Sequence, residues 1–119
     1  MEKILKADLT TERIEVLDYE PKSWGCYGRG LALKLVASSV PHYAGRYSPE
    51  NAIALVPGIL TGCKVASCCR VTIASKRGKG EGLQVCNVSG NLPQKMASLS
   101  IAGLLICGKS TEKNAVLHI

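Results

Sequence analysis

The sequence lacks several features that mark common protein classes. It contains no Phe, one Trp and four Tyr, so it offers few aromatic rings for stacking on the bases of single-stranded nucleic acid. No apolar run approaches the roughly 18 residues of a membrane-spanning helix. The first ten residues, MEKILKADLT, mix charged with apolar side chains and do not resemble a signal-peptide core. We therefore expect a cytoplasmic protein with no membrane partner and no nucleic-acid partner.

Residues that support hydrolytic chemistry are also scarce. A triad-type hydrolase needs a nucleophile, a base and an orienting acid. The sequence has two histidines, His42 and His118, and neither shows the partners that such a mechanism requires. None of the acidic residues is spaced to pair with another for acid and base catalysis. We expect no catalytic residue in this chain on its own.

The six cysteines do not form a recognisable disulfide or metal pattern. An even number suggests disulfides in a secreted protein, but the N-terminal residues do not resemble a secretion signal. Cys63, Cys68 and Cys69 form a C-x4-C-C motif, which differs from the spacing of structural zinc sites and of iron–sulfur motifs. Of the remaining three, Cys26, Cys86 and Cys107, the last two lie in apolar segments. We expect them, and Cys63, to be buried as small hydrophobic residues.

The length and composition favour one folded domain. The chain has 119 residues, of which 46% are hydrophobic, which is enough for a single core over residues 1–119. Fifteen Lys and Arg against nine Asp and Glu give a formal charge of +6. That surplus favours an anionic partner, although many small domains carry one on a solvated face. The densest basic cluster is Lys76, Arg77 and Lys79.

Hydrophobic patterning predicts strands grouped around two short helices. A hairpin is predicted from ILKADL and RIEVLDY, with its turn at residues 10–12 and its end at Pro21. Helices are predicted over Gly30–Val40 and Asn91–Ser100, and a loop follows Pro41. The further predicted strands are AIALV, CRVTIAS, LQVCNVS, IAGLLICG and NAVLHI. The order ββα, βββ, α, ββ predicts an α+β fold with a mostly antiparallel β-sheet.

Glycines and small polar residues stand beside isolated arginines in three segments. Gly28, Arg29 and Gly30 precede the first predicted helix, Arg70 begins a predicted strand, and Asn87-Val88-Ser89-Gly90 ends another. Backbone N–H groups at a helix start can bind a phosphate, and an Arg can bind the same anion bidentately. The segments therefore suggest an anion-binding cradle. The alternative is that the glycines form an ordinary turn and Arg70 pairs with a surface carboxylate.

Taken in order, the motifs resemble the beginning of the tungsten-containing aldehyde ferredoxin oxidoreductases. The motifs that carry the resemblance are DLTTERIEV, GRGLALKL, YSPENAIAL, PGILTG, SCCRVTIASK, CNVSG and SIAGLLICGKSTEKNAVLHI. They span essentially the whole chain. They match the first half of the family's N-terminal domain, which resembles an internal duplication, so the chain is expected to be a single structural repeat of that domain.

The resemblance implies a role in holding a metallocofactor. In the family, the N-terminal domain is the base for a tungsten or molybdenum bis-pyranopterin cofactor whose phosphates are bridged by magnesium. Later domains supply the iron–sulfur cysteines, and the complete enzymes oxidise aldehydes to carboxylic acids and pass electrons to ferredoxin. The residues that match cofactor-binding motifs are Gly28, Arg29, Gly30, Arg70, Asn87, Ser89 and Gly90, with Asn87 also near the magnesium.

Some positions depart from the family pattern. Tyr27 replaces the first glycine of the turn, Cys68 and Cys69 replace small residues, Ser89 replaces a glycine, and Leu104-Leu105 replaces Tyr-Asp. The resemblance implies a cofactor-binding domain or small subunit that is not catalytic alone and binds cofactor only in a complete assembly. The alternative is a non-catalytic interaction protein that kept the fold and lost the cofactor. A half-domain should also expose an apolar face, which implies a homodimer or a larger subunit as partner.

Overall fold

A computed structural model describes residues 2–20, 22, 27–78, 82–111 and 116–119. These ranges contain six strands and two helices, in the order ββαβββαβ. The strands are β1 (Lys3–Asp8), β2 (Arg13–Asp18), β3 (Ala52–Pro57), β4 (Arg70–Lys76), β5 (Leu83–Ser89) and β6 (Ile101–Cys107). The helices are α1 (Gly28–Ser39) and α2 (Asn91–Ser98).

The strands form one sheet in the order β2-β1-β6-β3-β4-β5. Among these pairs β1 and β6 are parallel, and the other four pairs are antiparallel. The predicted α+β fold with a mostly antiparallel sheet and two short helices is therefore confirmed. Because of this pairing, the last residues of β3 and β5 and the first residues of β4 and β6 lie side by side. We call this end of the strands the site edge.

Helix α1 packs across one face of the sheet and forms the larger part of the core with it. Its buried residues are Leu31, Ala32, Leu35 and Val36. They pack against small and branched side chains of β3, β4 and β6, among them Ala54, Val56, Ala74 and Leu105. Small residues in the strands let the helix approach closely, and Gly103 of β6 leaves room for Leu35, whose Cδ1 would lie 3.3 Å from an added Cβ. We call this the α1 face.

Helix α2 covers only one end of the opposite face. Met96 is fully buried against Ile101 and Leu104, with Leu55 beside them. Beyond the helix, this second face keeps large apolar side chains in solvent: Ile14 and Val16 are each 60% exposed, Ile53 44% and Val88 48%. We call this uncovered part the open face. The exposed apolar face expected of a half-domain is thus present.

The ends of several elements differ from the prediction. Helix α1 begins at Gly28, two residues earlier than predicted, since the N–H groups of Gly30 and Leu31 already donate to the carbonyl of Tyr27. Gly28 itself has a φ of +53, which glycine adopts at little cost. The predicted last strand, NAVLHI, is wrong for residues 116–119, which have no strand conformation, so His118 does not lie on a sheet. Residues 114 and 115, Pro21 and the predicted turn at 79–81 lie outside the described ranges.

Lys76 is buried, whereas the sequence had grouped it with a surface cluster of positive charge. Its ammonium donates hydrogen bonds to the carbonyls of Pro41 and His42, and its main-chain N–H donates to Asn51 Oδ1 at 3.4 Å. The side chain therefore satisfies carbonyls of the loop between α1 and β3 and joins that loop to β4. It is not available to an anionic partner.

The expectation that cysteines in apolar segments are buried is wrong for Cys63 and Cys86, which are exposed. Cys86 lies on β5, an edge strand, on the side of the sheet that no helix covers there. Cys107 is half-buried, and its thiol contacts the carbonyl of Ala7 at 3.6 Å. Burial, followed by the nearby Asp8 carboxylate, raises the pKa of the Cys107 thiol. Cys26 lies outside the described ranges.

None of the helices in the described part of the chain is both long and apolar enough to span a membrane.

Leu105 tests how far stability depends on the central strand. It is 3% exposed in β6 and lies between Lys6 and Ala54 of the neighbouring strands. Leu105→Ala should lower the free energy of unfolding by about 2 to 5 kcal/mol, because the core cannot close the cavity. Leu60→Ala, at a residue 54% exposed in a loop, should change it by less than about 0.5 kcal/mol. Urea titration of both variants measures the difference; equal losses would contradict the assignment of the core.

Candidate functional site

Four polar side chains of β4 and β5 lie together at the site edge. Arg70 is opposite Ser89, and Thr72 is opposite Asn87 in the antiparallel pairing. Directly opposite residues project to the same side of a sheet, and so do alternate residues of one strand. The four side chains therefore share one face. The hydroxyl of Thr72 donates a hydrogen bond to Asn87 Oδ1 at 2.9 Å, which shows the contact directly. We call these four residues the polar corner.

The polar corner is on the α1 face of the sheet. Ala74 follows Thr72 by two residues on β4 and belongs to the core beneath α1, so the alternation of the strand puts Thr72 on the same side. Thr72 is 8% exposed, whereas Arg70, Asn87 and Ser89 are exposed. A ligand can therefore reach three of the four side chains, with Thr72 below them as a support for Asn87.

The path of α1 explains why this corner is open. At its start, Gly28 lines the same cavity as Val56 of β3. At its end, Val40 lies beside Leu83 of β5. The helix thus crosses the face diagonally, from β3 at the site edge to β5 at the opposite edge. This leaves β4 and β5 uncovered where they reach the site edge, and the polar corner occupies that gap.

The start of α1 faces the same edge and has free hydrogen-bonding capacity. No side chain caps its first turn, since Tyr27 makes no capping hydrogen bond. The first N–H groups of a helix have no partner within the helix and carry its positive dipole end. A cavity of about 120 Å³ lies here, lined among others by Tyr27, Gly28, Gly58 and Thr61. Glu2 also lines this cavity, so an anion bound here would share it with a carboxylate.

Two hydrogen bonds join residues that line this cavity to the main chain at and just before Arg70. The N–H of Gly58 donates to the carbonyl of Arg70 at 2.9 Å. The hydroxyl of Thr61 donates to the carbonyl of Cys68 at 3.1 Å. The loop between β3 and β4 is therefore folded back on the first residue of β4, which fixes the Arg70 backbone while leaving its side chain free to turn.

Gly90 ends the corner by turning the chain away from it. Its φ of 152° lies in a region that side chains disfavour, although an added Cβ would meet no atom within 4 Å. The requirement is therefore conformational. The turn sends the chain from Ser89 on the α1 face to α2 on the other face, so that nothing in the described part of the chain covers Ser89.

The charge of Arg70 is not neutralised by a neighbour. Among the residues that the structure describes, the salt bridge found is Lys6–Glu15, with Nζ and Oε2 3.6 Å apart on β1 and β2, and Arg70 has no ion-pair partner. This removes the alternative that Arg70 pairs with a surface carboxylate of the described ranges. The guanidinium is available to an external anion.

The structure thus brings together most of the residues singled out in the sequence. Arg70, Asn87 and Ser89 are neighbours, and Gly90 follows directly. The turn formed by Gly28, Arg29 and Gly30 lies at the same edge but on a separate element, and none of its residues shares a strand pairing with the corner. Thr72 was not singled out, although the alternation in RVTIAS puts it on the side of Arg70.

A metal site made by the protein alone is not found. The described ranges contain no group of three or more His, Cys, Asp or Glu side chains that could hold a metal ion. Asn87 Oδ1 already accepts the Thr72 hydroxyl, and as a carbonyl oxygen it retains a second lone pair.

One solved structure with the same fold is the active-site complex BamBC of benzoyl coenzyme A reductase in complex with 1,5-dienoyl-CoA. The match has a TM-score of 0.84 at 24% sequence identity and covers 92% of this chain. At that identity the likeness shows the fold. The chain spans only 17% of the length of the matched chain. No curated protein sequence matches significantly.

A family model gives the stronger relationship. The model for the aldehyde ferredoxin oxidoreductase N-terminal domain matches residues 4–119, which includes every strand and helix but the first residue of β1. The resemblance drawn from the motifs leads to the same relationship. The chain belongs to the aldehyde ferredoxin oxidoreductase family, within its N-terminal domain.

Proposed function

We propose that this chain is the cofactor-binding domain or small subunit of an aldehyde:ferredoxin-type oxidoreductase, and that it is not catalytic alone. The group it would hold is a tungsten or molybdenum bis-pyranopterin. The observation that carries the proposal is the polar corner, with the unpaired guanidinium of Arg70 at the edge where α1 begins. Membership of the family supports it.

The donors at the site edge fit an anionic, hydrogen-bonding group. Arg70 can donate two parallel hydrogen bonds to a phosphate or to the edge of a pterin ring. Asn87 and Ser89 add an amide and a hydroxyl on the same face. The N–H groups of Gly28 and Arg29 at the start of α1 suit a phosphate, whereas the N–H of Gly30 already donates to the carbonyl of Tyr27 at 3.1 Å. The residues present therefore fit the phosphate and pterin portions of such a cofactor.

The described residues offer few ligands for a bridging magnesium ion. Asn87 could contribute one carbonyl oxygen, and the described residues offer no carboxylate cluster beside it. Because Mg²⁺ prefers oxygen ligands and keeps several waters, the cofactor's own phosphates would have to supply most of its coordination. Asn87 would then orient the phosphates more than hold the metal.

The chain's residues would bind and orient, and the bound cofactor would supply the redox chemistry. No acid or base belongs to the polar corner: its side chains are a guanidinium, two hydroxyls and an amide. The described part of the chain also lacks a cysteine cluster for an iron–sulfur centre. Proton transfer, cluster binding and electron transfer to ferredoxin are therefore assigned to a partner domain, so that cofactor is retained only in the complete assembly. A cytoplasmic location stays a prediction.

Arg70→Ala tests the cofactor assignment. The substitution should lower the tungsten or molybdenum and pterin content of the assembly purified from its native host by about 10-fold or more, because a charge-assisted hydrogen bond contributes about 1.5 to 3 kcal/mol. The free energy of unfolding should change by less than about 0.5 kcal/mol, since the side chain is exposed. Elemental analysis, pterin fluorescence and denaturant titration give the three values.

The matched control is Arg13→Ala, an exposed arginine at the opposite edge of the sheet. It should leave metal and pterin content unchanged. Equal loss of fold and cofactor in Arg70→Ala would assign Arg70 a structural role. If the unsubstituted assembly holds no tungsten, molybdenum or pterin, the alternative function stands instead: an interaction protein that kept the fold, as the larger residues Tyr27, Cys68, Cys69 and Ser89 would suit.

Thr72→Val tests whether Thr72 positions Asn87. Valine has nearly the same shape but cannot donate to Asn87 Oδ1, so one hydrogen bond of about 1 kcal/mol is lost while the β4 core is kept. We expect cofactor content to fall several-fold and to be restored by Thr72→Ser, which keeps the hydroxyl. A fall that serine does not restore would show that the methyl group, not the hydrogen bond, is what matters.

We propose further that the open face is covered by a larger subunit that carries the remaining domains. Apart from Lys3 and Asp18 at the site edge, its described strand residues are uncharged. Adjacent strands align Ile53 with Ile106 and Leu55 with Leu104, which makes the apolar surface continuous. The chain corresponds to only 17% of the chain it resembles in benzoyl coenzyme A reductase, so most of that chain lies outside the matched domain. A second copy of this chain is the competing occupant.

The composition of the complex isolated from the host distinguishes the two occupants. Val16→Asp tests whether the open face is the surface that the occupant contacts. The unsubstituted chain should elute with a larger metal-containing subunit in a 1:1 ratio, and Val16→Asp should dissociate it, because a buried unpaired charge is costly. Tyr43→Asp, at an exposed loop residue, should leave the complex intact. Light scattering that gives twice the 12.6 kDa chain mass, with no other polypeptide, would overturn the larger subunit in favour of the homodimer.

A further inference from the structure

Two adjacent cysteines lie directly before Arg70, outside the polar corner. Cys68 and Cys69 are both half-buried and free of disulfides. The Cys68 thiol points to the carbonyl of Cys63, with Sγ and O 3.7 Å apart. The chain's other described cysteines stand singly, on β5 and β6 or, for Cys63, at an exposed loop position. This is the one place in the described ranges where two thiols are neighbours in the chain.

The backbone holds the pair in a tight turn. The N–H of Arg70 donates to the carbonyl of Cys68 at 3.0 Å, which centres a three-residue turn on Cys69. Thr61 Oγ1 donates to the same carbonyl at 3.1 Å. Ser67, just before the pair, has a left-handed φ of 59°. The orientation of the two side chains is therefore set by the folded loop before any ligand arrives.

Cys68 and Cys69 are consecutive residues of this turn, so only a short stretch of backbone separates their thiols. Burial, and then the Cys68 thiol through its charge and a hydrogen bond, raises the pKa of the Cys69 thiol. A raised pKa means that the protonated thiol predominates at neutral pH, so Cys69 is a poor nucleophile on its own. Two thiols on consecutive residues of a tight turn can both bond to one thiophilic atom.

We propose that Cys68 and Cys69 form a dithiol site that chelates one trivalent arsenical. Thiol sulfur is the soft ligand that thiophilic centres select. For a monosubstituted arsenoxide, R–As=O, the two S–H groups give two As–S bonds, both bonds of the As=O group break, and the two protons leave with the oxygen as water. No oxidant or reductant is needed, and arsenic stays trivalent.

The cysteine pair lies next to the polar corner, so an arsenical bound there should affect that corner. The chelated turn contains the carbonyl of Cys68, which accepts the N–H of Arg70. An arsenical there would add bulk next to the first residue of β4 and at the border of the polar corner. It should therefore hinder cofactor loading, an effect that rests on the proposed function, whereas binding of the arsenical itself does not.

Phenylarsine oxide is the probe, applied to the full chain in its native assembly and to the chain alone. Intact-mass analysis should show one equivalent bound, with Cys68 and Cys69 protected from N-ethylmaleimide. A dithiol such as 2,3-dimercaptopropanol should release it, and a monothiol in excess should not. Cys68→Ser and Cys69→Ser should each weaken binding by about 100-fold, because the second As–S bond forms at high effective concentration.

Cys86→Ser is the matched control, since Cys86 is an exposed thiol on a different strand; it should leave affinity unchanged. Full-affinity binding in Cys69→Ser would overturn the pair, and would assign the chelate to Cys63 and Cys68. Release by a monothiol would also overturn it. Arg70→Ala should keep the arsenical site while losing cofactor, so failure of one proposal is separable from failure of the other. Circular dichroism of each serine variant confirms that it is folded.

Discussion

The register between β4 and β5 is the constraint on which the proposed site depends. Arg70 faces Ser89, and Thr72 faces Asn87, so two residues from each strand reach the same corner. Side chains alternate between the faces of a strand, and a slip of one residue would send one strand's pair to the opposite face. The hydrophobic pattern of β4 resists such a slip, because Val71 and Ala74 are buried on opposite faces. The core therefore sets the geometry of the polar residues, although none of its members belongs to the site.

The diagonal path of α1 serves the core and the site together. A helix aligned along β4 and β5 would bury the polar corner and leave Arg70 without water or a partner, which is costly for a charged group. Crossing from β3 to β5 instead buries Leu31 near one edge and Val36 near the other. It also brings the first N–H groups of the helix to the site edge. The diagonal placement of α1 therefore buries the core and keeps the polar corner accessible.

Sequence reasoning succeeded where local pattern determines structure. The alternation in RVTIAS and LQVCNVS predicted two neighbouring strands, and the ordered motifs then indicated Arg70, Asn87 and Ser89. It failed where the answer depends on neighbours in space. Nothing in LQVCNVS reveals that β5 is an edge strand, so Cys86 was expected to be buried. NAVLHI has the composition of a strand, but residues 116–119 pair with no strand of the described sheet. Lys76 looked like a surface charge because its carbonyl partners come from a loop 34 and 35 residues away.

The two faces of the sheet differ in how completely they are covered, and the difference bears on the proposal that the chain works within a larger assembly. On the α1 face the helix covers the central strands, and Leu17 and Val85 of the outer strands stay partly exposed, at 41% and 36%. The open face is unfinished, since side chains such as Ile14 and Val16 remain in solvent on the strand pair farthest from the polar corner. Apolar surface of this kind contributes to stability only when something buries it. A partner that packs there would stabilise the sheet from the side opposite the ligand, and so could hold β4 and β5 in register without competing for the polar corner.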